Sequence, residues 1–177
     1  FRIRARLLAY DDPAANRYWS RLDGFDRGWV ALDGTGERVF TGLAPGRYVL
    51  STGYRGVINT QANGLFALDY ATPEGRKRAL YTQFENSDAR RFVPSWDEPD
   101  FKATFDLAVV APAGQMVVSN MPVASEKEVG DGRRRVVFQT SPKMSTYLLF
   151  LGLGDFERAT LEGEGGTEIG VIAQRGK

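Results

Sequence analysis

Apolar and polar residues alternate along much of this chain with a period of two, the period of a β-strand, and the helical period of about 3.6 residues is nowhere sustained. Residues 1–7 read F-R-I-R-A-R-L, apolar and basic in alternation, which suits a strand with one face buried and one in water. Strand-like runs follow at 17–22, 37–43 and 46–54. They are punctuated by Asp11-Asp12-Pro13, by Gly24 and Gly28, by Asp33-Gly34-Thr35-Gly36 and by Ala44-Pro45-Gly46, all turn-forming combinations. Residues 65–70 and 78–84 flank the polar turn Thr72-Pro73-Glu74-Gly75, and further strands are expected over 103–110, 115–120, 135–140 and 168–173. The stretch 146–153 is almost continuously apolar, the pattern of a central strand covered on both faces. Only residues 87–91 suit a helical turn, capped by serine or asparagine and stopped before Pro94. The expected fold is all-β: a β-sandwich of mostly antiparallel strands with at most one short helical turn, forming a single domain over residues 1–177.

Composition narrows the functional classes. A hydrophobic fraction of 42% and a charged fraction of 25% are those of an ordinary globular domain. The net charge of +1 calls for neither nucleic acid nor an anionic membrane. The densest basic run, Arg133-Arg134-Arg135 after Gly130-Asp131-Gly132, reads as the solvated flank of a hairpin. No apolar run approaches the ~20 residues that cross a bilayer, and no signal peptide is visible. A start at Phe1 rather than Met suggests an excised or processed fragment. The 177 residues include no histidine and no cysteine, which removes disulfides, thiol chemistry and the usual zinc ligands.

The most specific pattern lies in roughly the last two-thirds of the chain. Gly64-Leu65-Phe66, Tyr81-Thr82-Gln83-Phe84-Glu85, Asp88-Ala89-Arg90-Arg91, Pro94, Asp97-Glu98-Pro99 and Lys102-Ala103-Thr104-Phe105 are followed by Ser119-Asn120-Met121-Pro122. Then come Thr140-Ser141-Pro142-Lys143-Met144-Ser145-Thr146-Tyr147-Leu148 and Gly154-Asp155-Phe156-Glu157. In order and spacing this string resembles the N-terminal, non-catalytic domain of the zinc aminopeptidases, the aminopeptidase N family, over residues 51–177. The resemblance implies that the zinc-binding H-E-x-x-H helix belongs to a catalytic domain beyond Lys177, so that this chain is no enzyme by itself and holds no cofactor. It also implies a β-domain that docks on that catalytic domain and helps to bind the N-terminus of a peptide.

Residues 1–50 resemble a different family, the triple-tyrosine β-domain of periplasmic two-component sensors. The likeness rests on the run Tyr18-Trp19-Ser20-Arg21-Leu22-Asp23-Gly24-Phe25-Asp26-Arg27-Gly28-Trp29-Val30, on Arg38-Val39-Phe40-Thr41 and on Leu43-Ala44-Pro45-Gly46-Arg47-Tyr48-Val49-Leu50. Together the two resemblances suggest a chimera with a junction near residue 50, natural or engineered. Two alternatives stand beside the aminopeptidase reading: a chimeric β-sandwich with no selected function, and a sensor-type module binding a ligand or protein through an aromatic groove around Trp19 or Trp29. A bacterial origin is implied, with periplasmic and cytoplasmic locations both open. A junction of unrelated strands would leave an exposed edge near 1–7 or 39–50, a template for homodimerisation.

Within the aminopeptidase resemblance, Glu85 is implied to bind the substrate's free α-ammonium and Gln83 to line the pocket for the first side chain. An exopeptidase needs a fixed carboxylate in a partly dry cleft to hold a cationic terminus. Gln83 and Glu85 stand two apart near a strand end, and such a pair shares a face. Taken without the resemblance, both read as surface residues. Asp97, Glu98, Arg90 and Arg91 form a dense charged loop, read as a scaffold that fixes its own backbone. Met144 and Tyr147 are expected in the core.

Overall fold

The computed structural model describes residues 2–4, 17–34 and 36–176. The remainder of the 1–7 strand and the turn at 11–13 lie outside the described residues. In chain order the strands are β1 (Arg2–Arg4), β2 (Arg17–Leu22), β3 (Val30–Ala31), β4 (Glu37–Val39), β5 (Leu50–Arg55), β6 (Gly64–Thr72), β7 (Gly75–Gln83) and β8 (Lys102–Ala103). They continue as β9 (Ala108–Pro112), β10 (Met116–Ser119), β11 (Val123–Gly130), β12 (Arg133–Phe138), β13 (Met144–Ser145), β14 (Leu151–Gly154), β15 (Phe156–Glu162) and β16 (Glu168–Gln174). Every strand ladder among the described residues is antiparallel, and the fold is all-β as expected. Among the described residues no helix is long and apolar enough to cross a membrane.

The centre is a four-stranded sheet in the order β10-β14-β7-β6, facing a three-stranded sheet β11-β12-β9. Between them lie Ala111, Val117, Val136, Phe138 and Leu151, with Phe92, Leu107, Val109, Met121 and Leu153 around them. Alternation puts the neighbours of these residues on the opposite face. There Tyr70, Ala79 and Phe156 form a second cluster with Tyr81, Met116 and Val118. Gly154 makes this second layer possible. A Cβ at that position would stand 2.9 Å from both the Ala79 Cβ and the Phe156 ring, so the ring lies flat on the strand only because no side chain is present. A separate three-stranded sheet, β3-β2-β5, carries the earlier segment. Its Tyr18 and Leu22 are buried, whereas Trp29 is exposed and lies beneath the Arg21 guanidinium.

β15 and β16 form a long hairpin that, among the described residues, is anchored at its base. Lys77 Nζ lies 2.7 Å from Asp155 Oδ2 and 2.8 Å from Glu74 Oε2. Arg175 Nε donates to Asp155 Oδ1 at 3.1 Å, and Gln174 Nε2 donates to the Tyr81 hydroxyl at 3.1 Å. Beyond the base, both strands are exposed from 157 to 162 and from 168 to 173. Leu161 pairs with Ile169 and Ala159 with Val171. Directly paired residues share a face, so one side of the hairpin is a row of apolar side chains in water.

The structure departs from the sequence pattern at several points. The stretch 146–153 is not one strand: Thr146–Leu148 is a 3₁₀ turn, and β14 starts at Leu151. Hydrogen bonds from Ser145 Oγ to Pro99 O and from Thr146 Oγ1 to Trp96 O hold the turn against the neighbouring loop. The stretch 103–110 divides into β8 and β9, because Phe105 pairs through backbone and side chain with Ser141 instead. The described residues contain three 3₁₀ turns, at Ala89–Arg91, Thr146–Leu148 and Glu164–Gly166, where one helical turn was expected. β11 and β15 were not legible: their side chains are almost all exposed and, unlike β16 with Ile169, Val171 and Ile172, they carry no apolar run.

The hairpin anchor has a pH signature. Hydrogen bonds from Lys77, then from Arg175, hold the Asp155 carboxyl below the ordinary aspartate range. A carboxyl lowered on folding contributes stability that is complete above its unfolded value of about 3.9 and is lost as pH falls through the folded value. We expect Asp155→Asn to flatten the decline in stability below ~pH 5, measured as urea midpoints across acid pH. An acid limb identical to that of the parent chain would contradict this anchor.

Candidate functional site

β7 runs along the middle of the central sheet, with Tyr81 opposite Phe66 on β6 and Gly152 on β14. The strand ends at Gln83, opposite Gly64. Phe84 then turns into the core, buried and stacked on Phe92 with ring centroids 5.5 Å apart. Glu85 opens a tight turn whose base is closed by Asp88 N donating to Phe84 O at 2.9 Å. Gln83 and Glu85 are both exposed, and among the described residues neither side chain makes a hydrogen bond or ion pair. The sequence argument placed them on one strand face. The strand stops two residues short of Glu85, so the turn, not strand alternation, sets where its carboxylate stands.

The charged loop that follows has a different role. The Asp97 carboxylate, with only 2% of the side chain exposed, accepts from the Arg90 backbone N–H at 2.9 Å and from Arg90 Nε at 3.0 Å. Arg90 Nη2 also donates to Asp97 O and to Glu98 Oε1. Arg91, grouped with Arg90 in the sequence reading, pairs instead with Asp88 at 2.5 Å. Every hydrogen-bonding group of this cluster named here is engaged within the loop, which is the geometry of a scaffold rather than of an acid–base pair. Met144 and Tyr147 are half-buried. The donor set does not suit zinc: histidine and cysteine are absent from the sequence, and among the described residues no three acidic side chains converge. A wide cleft of about 1100 Å³ lies to one side of the central sheet, walled by Tyr54, Trp96, Phe101 and Phe105 rather than by Trp19 or Trp29.

The region that carries these features, residues 34–148, matches the family model of the Peptidase M1 N-terminal domain. The chain belongs to that family. It is 46% identical over 135 residues to aminopeptidase N of Acetobacter pasteurianus, covering 76% of this chain and 38% of that protein. It is 38% identical over 178 residues to aminopeptidase M1-D of Oryza sativa subsp. japonica, covering 98% of this chain and 20% of that protein. Puromycin-sensitive aminopeptidase of Caenorhabditis elegans is 36% identical over 139 residues, 77% of this chain and 15% of its own length. The chain thus spans between 15 and 38% of these relatives. The family match begins at residue 34 and the rice alignment takes in nearly the whole chain. Both cross the junction expected near residue 50, and the comparisons give the chimera no support.

The Asp97–Arg90 contact predicts a structural phenotype. Asp97→Ala leaves the Arg90 backbone N–H and Nε without their carboxylate acceptor, while Nη2 keeps Asp97 O and Glu98 Oε1, at a cost of about 1.5–3 kcal/mol for lost hydrogen bonds to a charged group. Chemical denaturation would show this as a lower midpoint with an unchanged slope. An unshifted midpoint would contradict the scaffold assignment.

Proposed function

We propose that this chain is the non-catalytic N-terminal β-domain of a zinc aminopeptidase, docked on the catalytic domain and supplying Gln83 and Glu85 to the substrate-binding cleft. The observation that carries this reading is the Glu85 carboxylate, exposed and, among the described residues, unpaired on a turn that is closed at its base, inside the segment that matches the family. A carboxylate with no partner of its own is available to a cationic one. A peptide's terminal ammonium suits it, since an N⁺–H···O⁻ bond is roughly twice as strong as a neutral one. Gln83, with both a donor and an acceptor, would border the first residue of the bound peptide. Zinc would be supplied by the catalytic domain, and no step of the chemistry falls to a residue of this chain.

The docking part of the proposal rests on the β15–β16 hairpin. Leu161, Ile169 and Val171 are 54, 46 and 54% exposed on its apolar face. A contiguous apolar face of this kind marks an interaction surface. Its proposed occupant is an apolar face of the same aminopeptidase's catalytic domain, because the relatives extend far beyond the span that this chain matches.

Glu85→Ala separates folding from function. In the isolated chain it should move stability by less than ~0.5 kcal/mol, as surface changes do. In the complete aminopeptidase it should lower kcat/KM for free-amine substrates by about 10- to 100-fold, the size of a lost hydrogen bond between charged groups. A fragment that fails to fold would make Glu85 structural, and a complete enzyme with normal kinetics would end the proposed role.

A further inference from the structure

Glu85 stands in a turn that is fastened to the sheet beside Gly64. Asp88 N bonds back to Phe84 O, and the Asp88 carboxylate receives Arg91 Nε. Arg91 N also donates to Asp88 O at 3.0 Å. The stem of Arg91 rests on Gly64, the residue directly opposite Gln83. Gly64 has φ of +64°, and a Cβ there would lie 2.8 Å from the Arg91 Cβ and 3.4 Å from its Cδ. Two independent requirements therefore fall on one glycine. Its backbone is in the left-handed region, which residues with a side chain rarely adopt, and its missing side chain is the space that Arg91 fills.

We infer that Gly64, Arg91 and Asp88 are positioning residues that set the place of the Glu85 carboxylate relative to Gln83, a role that rests on the ammonium-binding reading proposed above. The chain of contacts is continuous. Gln83 is registered to Gly64 by the β6–β7 ladder, Gly64 seats Arg91, Arg91 holds Asp88, and Asp88 closes the turn that begins with Glu85. None of these links touches substrate. A shift of the turn moves the Glu85 carboxylate while leaving Gln83 on its strand, so the two recognition groups lose their mutual spacing. Misplacement by about 1 Å costs as much as ~100-fold when geometry is what a site supplies.

A double-mutant cycle in the complete aminopeptidase tests this, with kcat/KM for a free-amine aminoacyl substrate as the readout. Gly64→Ala is expected to lower kcat/KM by ~10-fold or more in the parent background and by less than ~2-fold in a Glu85→Ala background, because it acts only through that carboxylate. Asp88→Asn, which keeps the shape of the side chain and weakens its hold on Arg91, is expected to behave the same way and serves where Gly64→Ala does not fold. A merely structural defect would reduce activity equally in both backgrounds. Equal losses in both backgrounds would overturn the positioning role while Glu85→Ala alone remained impaired. Normal kinetics for Glu85→Ala alone would instead overturn the ammonium reading, and the positioning role with it.

Discussion

The central sheet is covered on both faces, and the strand that must tolerate this is β14. Leu151 faces the sandwich core, whereas Gly152 and Gly154 leave the other face nearly flat. The Phe156 ring occupies that flat surface, in contact distance of Ala79 and stacked on Tyr81 with centroids 5.8 Å apart. A side chain at Gly154 would displace the ring, and with it the base of the β15–β16 hairpin. Large buried rings contribute most of the apolar area removed from water, so this one close approach fixes both the second core cluster and the starting point of the exposed hairpin. β7, lying beside β14, inherits its position from the same packing and presents Gln83 where the covered part of the sheet ends.

Charge in this domain is used mainly to fix geometry. Asp97 and Arg90 lock one loop, Asp88 and Arg91 the turn before it, and Asp155 gathers Lys77 and Arg175 at the foot of the hairpin. Asp97 is nearly dry and its Oδ2 accepts twice from Arg90, so its interaction holds more strongly than exposed pairs such as Arg133–Asp131, which are worth little. Glu85 stands apart from this pattern. It sits on a turn fastened at its base and by a neighbouring ion pair, yet its own carboxylate is unpaired among the described residues. Rigid backbone with an unspent charge is the arrangement expected of a recognition group.

The fold class was legible because short apolar-rich runs broken by turn residues mark strands, as in the Gly64–Thr72 and Gly75–Gln83 hairpin around its Thr72-Pro73-Glu74-Gly75 turn. Val123–Gly130 was silent because its polar, exposed residues form no apolar run. Gln83 and Glu85 came from the family motif rather than from pattern, since two exposed polar residues near a strand end carry no periodic signal. The role of Gly64 was hidden because its partner Arg91 is 27 positions away and only the folded backbone brings them together. The apolar 146–153 run misled, because side-chain hydrogen bonds from Ser145 and Thr146 to backbone carbonyls outweighed strand propensity.

The proposed function has this domain dock on a catalytic domain through the hairpin face. Amide hydrogen exchange on the isolated chain and on the intact aminopeptidase tests it most directly. The account predicts fast exchange over residues 157–173 in the isolated chain and strong protection there in the intact enzyme, with β9, β12 and β14 exchanging alike in both. Equal exchange of the hairpin in the two forms would contradict it.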